Sequence, residues 1–189
     1  MRYLARLALT ALLAILPATA HATLDVGTPA PQITLDSALA GNASKFVLAD
    51  ALAKGPVVVY FYPKSFTSVC TQEAHLFSEA MPEFHELGAS VIGISTDDLE
   101  TQRAFSTTEC RDQFPVAADP GGAVAKAYDT TFKHGNDVMA LRTTYVVTPD
   151  GLIGAAVTAN GAEIHVKTAL EFVRTWRVSN PEEATTSPE

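Results

Sequence analysis

Val57-Val58-Val59-Tyr60-Phe61-Tyr62, stopped by Pro63 and followed by Lys64-Ser65-Phe66-Thr67-Ser68-Val69-Cys70, is the stretch from which the rest of the chain can be read. A continuous run of β-branched and aromatic residues has no polar face, so it fits a strand covered on both sides of a sheet. Proline cannot donate to a ladder and closes that strand. From Val69 the period changes: Phe77, Ala80, Met81, Phe84 and Leu87 recur at three- and four-residue steps and make one apolar face of a helix. Cys70 then lies at or in the first turn of that helix, directly after a central strand.

The alternation continues downstream. Ser90-Val91-Ile92-Gly93-Ile94-Ser95 reads as the next strand, and Asp97 with Glu100 three residues later forms a capping box for a helix running towards Thr108. Pro115 to Ala118 is a short strand, Asp119-Pro120-Gly121-Gly122 a turn, and Ala123 to Tyr128 a brief helix. Thr143 to Thr148, the turn Pro149-Asp150-Gly151 and Leu152 to Val157 make a hairpin. A last helix starts after Asn160, with Val166, Ala169, Leu170 and Val173 on one face. Upstream, Asp25 to Pro31 is turn-rich and Gln32-Ile33-Thr34-Leu35 alternates as a half-buried strand does. No internal repeat and no linker divides this region. The order predicts an α/β fold of thioredoxin-like architecture, a central mixed sheet flanked by helices on both faces.

Residues 1–22 have the pattern of a signal peptide: Arg2 and Arg6, an apolar run from Leu7 to Leu16, and Ala20-His21-Ala22 as a small-x-small cleavage site. The apolar run is short for crossing about 30 Å of hydrocarbon. The expected division is 1–22 signal peptide, 23–178 a single domain, and 179–189 a disordered tail of Pro, Ser, Thr and Glu. Location in the periplasm, or export of another kind, follows as an expectation. The formal charge of −8 offers no basic footprint for nucleic acid and is repelled by an anionic membrane surface. Cleavage would remove two arginines and make the chain more acidic still. The histidines show no paired ligand spacing, so neither a metal nor another cofactor is expected.

The chain has two cysteines, Cys70 and Cys110. In an oxidising compartment such a pair is most simply a structural disulfide. The position of Cys70 argues for more. A thiol attacks as its thiolate, and a helix N-terminus presents unpaired N–H groups and the positive end of the dipole to a side chain there.

The spacing of Pro63, Thr67 and Cys70 resembles the peroxiredoxin active-site loop. From about Val26 to Trp176 the chain is similar to the bacterioferritin-comigratory, or Q-type, branch of that family, including Val26-Gly27-Thr28-Pro29-Ala30-Pro31 and Phe61-Tyr62-Pro63-Lys64. Arg142-Thr143-Thr144-Tyr145-Val146-Val147 resembles the segment that carries the family's arginine. The resemblance implies a thiol-dependent peroxidase acting in antioxidant defence on hydrogen peroxide and organic hydroperoxides, with no cofactor. Cys70 would be the peroxidatic nucleophile, and Thr67 would hydrogen-bond thiolate and peroxide. Arg142 would stabilise both, Pro63 would shield the thiolate from water, and the N–H groups of Val69 and Cys70 would hold the peroxide oxygens. It also implies a monomer.

One departure is plain. Many Q-type proteins carry a second cysteine five residues after the first, where this chain has His75. Cys110, at the end of the helix that follows Asp97, is then the candidate resolving cysteine, giving an intramolecular disulfide recycled by a thioredoxin-like or small-thiol donor. A one-cysteine cycle with Cys110 inert is the alternative. Two other functions stand beside the peroxidase. A periplasmic thioredoxin-like disulfide oxidoreductase usually has two cysteines separated by two residues, and Glu73 occupies that position here. A non-catalytic thioredoxin-fold binding module with a Cys70–Cys110 bridge is the third reading.

Overall fold

The computed structural model describes residues 23–181. The expected signal peptide, and the tail from residue 182 onward, lie outside the described residues. β3 (Val57–Phe61) is fully buried and central, and it is followed by α2 (Ser68–Glu86), β4 (Ser90–Ser95), α3 (Leu99–Thr108) and β5 (Val116–Ala118). β3 pairs in parallel with β4, and β4 with β5. β8 (Thr143–Val147) lies antiparallel on the other side of β3, with β9 (Ile153–Thr158) beyond it. β1 (Thr34–Leu39) and β2 (Asn42–Val47) complete a seven-stranded mixed sheet of order β2-β1-β5-β4-β3-β8-β9.

Alternation along β3 divides the core in two. Val58, Tyr60 and Tyr62 face Ala74, Phe77, Met81 and Phe84 of α2, Phe105 of α3, and Val166, Ala169 and Val173 of α5 (Glu163–Ser179). Val57, Val59 and Phe61 face Leu48 and Leu52 of α1 (Leu48–Leu52) and Ala125 of α4 (Ala123–Ala127). Helices thus cover both faces, as the alternation of patterns required. The first half of the core contains both cysteines. Gly93 of β4 admits the Tyr60 ring: a Cβ there would lie 2.6 Å from its hydroxyl.

Besides the short α1, which the sequence reading does not contain, four features differ from it. The strand expected at Gln32–Leu35 begins at Thr34 and turns back at once as the β1–β2 hairpin. Its turn residues, Ala40 (φ 49°) and Gly41 (φ 74°), are both left-handed. Such turns are normally announced by Asn-Gly or Asp-Gly, and Ala40 hides this one. β6 (Thr131–His134) and β7 (Asp137–Ala140) form a separate two-stranded ribbon around Gly135-Asn136, which was a legible turn signal between half-exposed strands. The cap of α3 is Asp98, not Asp97: its carboxylate accepts from the Thr101 N–H at 2.8 Å. α5 runs through Ser179, one residue into the stretch assigned to the tail, and Asn180 closes it by donating from its side chain to the Trp176 carbonyl at 2.8 Å.

Candidate active site

The loop between β3 and α2 is shaped by groups outside it. The Asp97 carboxylate accepts from the Ser65 N–H at 2.7 Å and from the Ser95 hydroxyl at 2.9 Å, and pairs with Lys64 at 3.4 Å. Asp97 therefore clamps the loop instead of capping α3. Phe66 sits at φ 63°, an unusual conformation for a bulky residue, and packs edge-on against Phe105 with ring centroids 5.2 Å apart. Thr67 is the extended residue preceding α2, and its hydroxyl donates to the Lys64 carbonyl at 2.9 Å. The single hydroxyl proton is thereby committed to that carbonyl, and the lone pairs remain free to accept. Pro63 is half-buried at the start of the turn.

Cys70 is the third residue of α2 and only 1% exposed. The N–H groups of a first helical turn have no carbonyl partner inside the helix, so the backbone here presents donors. Arg142 reaches the same place from the connection between β7 and β8, its Nη2 3.0 Å from the Cys70 Sγ. The guanidinium is itself buried. The two residues brought together are 72 apart in sequence, and the antiparallel pairing of β3 with β8 is what aligns them.

The other end of the guanidinium donates through Nη1 to Oε2 of Glu73, which is completely buried one turn along from Cys70. Sequence reasoning weighed Glu73 only as the position of a missing second cysteine. The overlooked signal was its three-residue spacing from Cys70, which puts an acid on the same helix face as the nucleophile. His165 of α5 is also fully buried, with Nδ1 3.9 Å from Glu73 Oε1 and 2.9 Å from the Thr144 hydroxyl. Its Nε2 lies 3.1 Å from the Ala159 carbonyl, which can only accept. Nε2 thus carries the proton of the neutral ring, and Nδ1 accepts from Thr144.

Burial raises the Glu73 carboxyl from its ordinary 4.5 to about 8, against the lowering influence of Arg142. Burial pulls Arg142 down, but Glu73 and Cys70 outweigh it and hold the guanidinium above its ordinary value. His165 is lowered, first by burial and also by Arg142, with the Ala159 carbonyl acting against them. Because Glu73 holds its proton more tightly when folded, stability is fullest below its ordinary 4.5 and falls as pH rises to about 8. Glu73→Gln removes that titration. Urea unfolding at several pH values should show wild type losing stability relative to the variant across that interval; parallel curves would contradict the assignment.

Cys110 follows the C-cap of α3 and is fully buried, its thiol pushed up by burial and by the nearby Glu109 and Asp112. Its carbonyl accepts from the Ser78 hydroxyl of α2 at 2.8 Å. Neighbouring Glu109 pairs with His75 of α2 at 2.9 Å. His75 thus joins the two helices, and both cysteines are free thiols. A cleft of about 750 Å³ opens beside Pro63 and Lys64 beneath the β6–β7 ribbon, with Phe132 and Met139 in its walls; Cys70 is not among its lining residues. Among the described residues no group of three or more His, Cys, Asp or Glu is placed to hold a metal.

This arrangement sets a buried sulfur against a helix start and a shared guanidinium, which suits stabilisation of negative charge on the sulfur and on an oxygen leaving beside it. A sequence model of the AhpC/TSA family matches residues 26–156. The crystal structure of peroxidoxin BcpB from Mycobacterium tuberculosis is similar, with a TM-score of 0.73 and 30% identity, covering 79% of this chain and 96% of that one. Peroxiredoxin Bcp of Xanthomonas campestris is 31% identical over 130 residues, 65% of this chain and 79% of the relative. Alkyl hydroperoxide reductase C of Helicobacter pylori is 31% identical over 126 residues, 62% of each chain. The chain therefore belongs to the AhpC/TSA family and is a peroxiredoxin, a thiol peroxidase built on the thioredoxin fold.

Proposed function

We propose that Cys70 is the peroxidatic nucleophile, acting on hydrogen peroxide and organic hydroperoxides. The observation that carries this reading is Arg142 Nη2 at 3.0 Å from the Cys70 Sγ in the first turn of α2. The thiolate attacks the terminal peroxide oxygen: the S–O bond forms, the O–O bond breaks, and the departing oxygen takes a proton and leaves as water or an alcohol. Thr67, whose proton is committed to Lys64, accepts from the peroxide O–H. Arg142 stabilises the developing charge, the first-turn N–H groups of Val69 and Cys70 hold the oxygens, and Pro63 shields the sulfur.

Cys110 then attacks the Cys70 sulfenic acid, forming an intramolecular disulfide and releasing water; a thioredoxin-like or small-thiol donor supplies the two electrons that restore both thiols. The α-carbons must come within about 7 Å for this bond, so the start of α2 and the end of α3 must open, as helix ends do most readily. The complete burial of Cys110 favours the second reading, in which an external thiol resolves Cys70 directly. Mass spectrometry after one equivalent of peroxide separates them. A Cys70–Cys110 disulfide supports the pair; a sulfenic acid on Cys70 with Cys110 still alkylatable in the unfolded chain removes Cys110 from the cycle.

The His75–Glu109 pair holds the end of α3 against α2. Glu109→Gln should therefore speed disulfide formation severalfold while leaving the first oxidation of Cys70 unchanged, measured by quenched-flow alkylation. An unchanged disulfide rate would mean that this contact does not restrain Cys110.

Export is part of the same reading, supported by the pattern of residues 1–22. N-terminal sequencing of the protein from its producing cells tests it, the expected first residue being Thr23. A chain that retains Met1 would place it otherwise. The protein is taken to act as a monomer, which sedimentation of the reduced and oxidised forms examines.

A further inference from the structure

Among the described residues, Arg142 is the only cation in contact with two buried acids, the Cys70 thiol through Nη2 and the Glu73 carboxyl through Nη1. The other groups facing them add no charge. Tyr60 of β3 is a buried phenol, raised well above its ordinary value first by burial and further by Cys110, Tyr62, Glu73 and Cys70. His165 of α5 is lowered from its ordinary value, first by burial and also by the neighbouring Arg142, and Thr144 of β8 is uncharged. Two anions beside one guanidinium in a dry interior leave one negative charge uncompensated, and a group so placed takes a proton instead. Glu73 bears the mark of this: its Oε2 has Arg142, while Oε1 is buried without a hydrogen-bond partner. An ionised carboxylate would leave a charged acceptor bare there, whereas protonation removes the charge from that buried, unpartnered side.

We propose that Cys70 and Glu73 share one negative charge through Arg142, with Glu73 protonated while Cys70 is a thiolate and ionised once Cys70 is oxidised. The inference rests on the reading of Cys70 as peroxidatic nucleophile. In the oxidation, thiolate, hydroperoxide and carboxylic acid become sulfenic acid, alcohol and carboxylate. Sulfur is oxidised by two electrons and the O–O bond is reduced by them, and the proton that neutralises the departing oxygen equals the one that Glu73 gives up. The charge of the site is −1 on the two acids before and after, and Arg142 passes from sharing to full pairing with Glu73. Reduction reverses the exchange, so Glu73 must take up a proton before Cys70 is again a thiolate. Glu73 acts through Arg142 and is a positioning residue that also stores a proton.

Infrared difference spectroscopy tests this on the Cys110→Ser protein, in which Cys70 oxidation stops at the sulfenic acid. One equivalent of hydrogen peroxide should remove a carboxylic-acid C=O band and raise a carboxylate band of matching amount. Both changes should vanish in Glu73→Gln/Cys110→Ser and reappear at shifted frequency in Glu73→Asp/Cys110→Ser, which keeps the acid if the glutamine variant folds poorly. Complete oxidation of Cys70, measured by dimedone trapping, with no change in the acid band overturns the proposal and leaves the peroxidase reading standing. Absence of any dimedone adduct on Cys70 overturns the peroxidase reading and the shared charge with it.

Discussion

Cys70→Ser is expected to abolish peroxide consumption while leaving the fold intact. The hydroxyl is not ionised at neutral pH and is a poor nucleophile at its ordinary pKa, and no other thiol is placed to replace it, since Cys110 is buried with its thiol pushed up. The substitution changes one atom in a buried site, and Arg142 keeps its Glu73 partner. Circular dichroism and the urea midpoint should therefore stay close to wild type, while stopped-flow consumption of hydrogen peroxide and of an alkyl hydroperoxide both fall to background. Residual consumption that persists in Cys70→Ser and is lost in Cys110→Ser would reverse the two cysteine roles.

Arg142→Met is expected to slow Cys70 oxidation by about 10²–10³-fold, the usual effect of removing one preorganised donor from a site where charge develops. Methionine occupies much of the same space without donors, so Cys70 loses its Nη2 contact. The variant should also be less stable, because it leaves Glu73 buried without its cation; breaking a buried pair in this way costs about 3–5 kcal/mol when the remaining charge stays ionised. Glu73 can take a proton instead, so the loss should be smallest at low pH. Adding Glu73→Gln to Arg142→Met should recover stability but not rate. Recovery of both would show that Arg142 serves the fold alone. Arg142→Lys separates charge from geometry, since a lysine cannot contact Sγ and Glu73 through two arms of one planar group.

The loop shows where a sequence rule came close and missed. Asp97 and Glu100 have the spacing of a capping box, yet Asp98 is the cap and Asp97 turns back to hold Ser65 and Lys64. Adjacent aspartates compete for one cap, and the choice was made by the loop after β3, which needed an acceptor for the Ser65 N–H. The β1–β2 hairpin was hidden for a local reason, a left-handed turn carried by Ala40, and α1 because five residues are too few to establish a period. Glu73 and His165 were hidden differently. A charged residue on a helix is normally solvated, and only a partner from another element can make its burial tolerable.

The sequence alone determined that a buried strand ends at Pro63 and that a helix begins just before Cys70, because both signals are carried by neighbours in the chain: a run of β-branched and aromatic residues, then a change of period. It also supplied the loop spacing by which Thr67 and Cys70 could be recognised. The tertiary structure decided which charge meets the sulfur. Arg142 and His165 reach the start of α2 from the connection before β8 and from α5, and periodicity records that a face is buried but not against which partner. The pairing of β3 with β8 and the packing of α5 on α2 turned a cysteine at a helix start into a site where one guanidinium serves two acids.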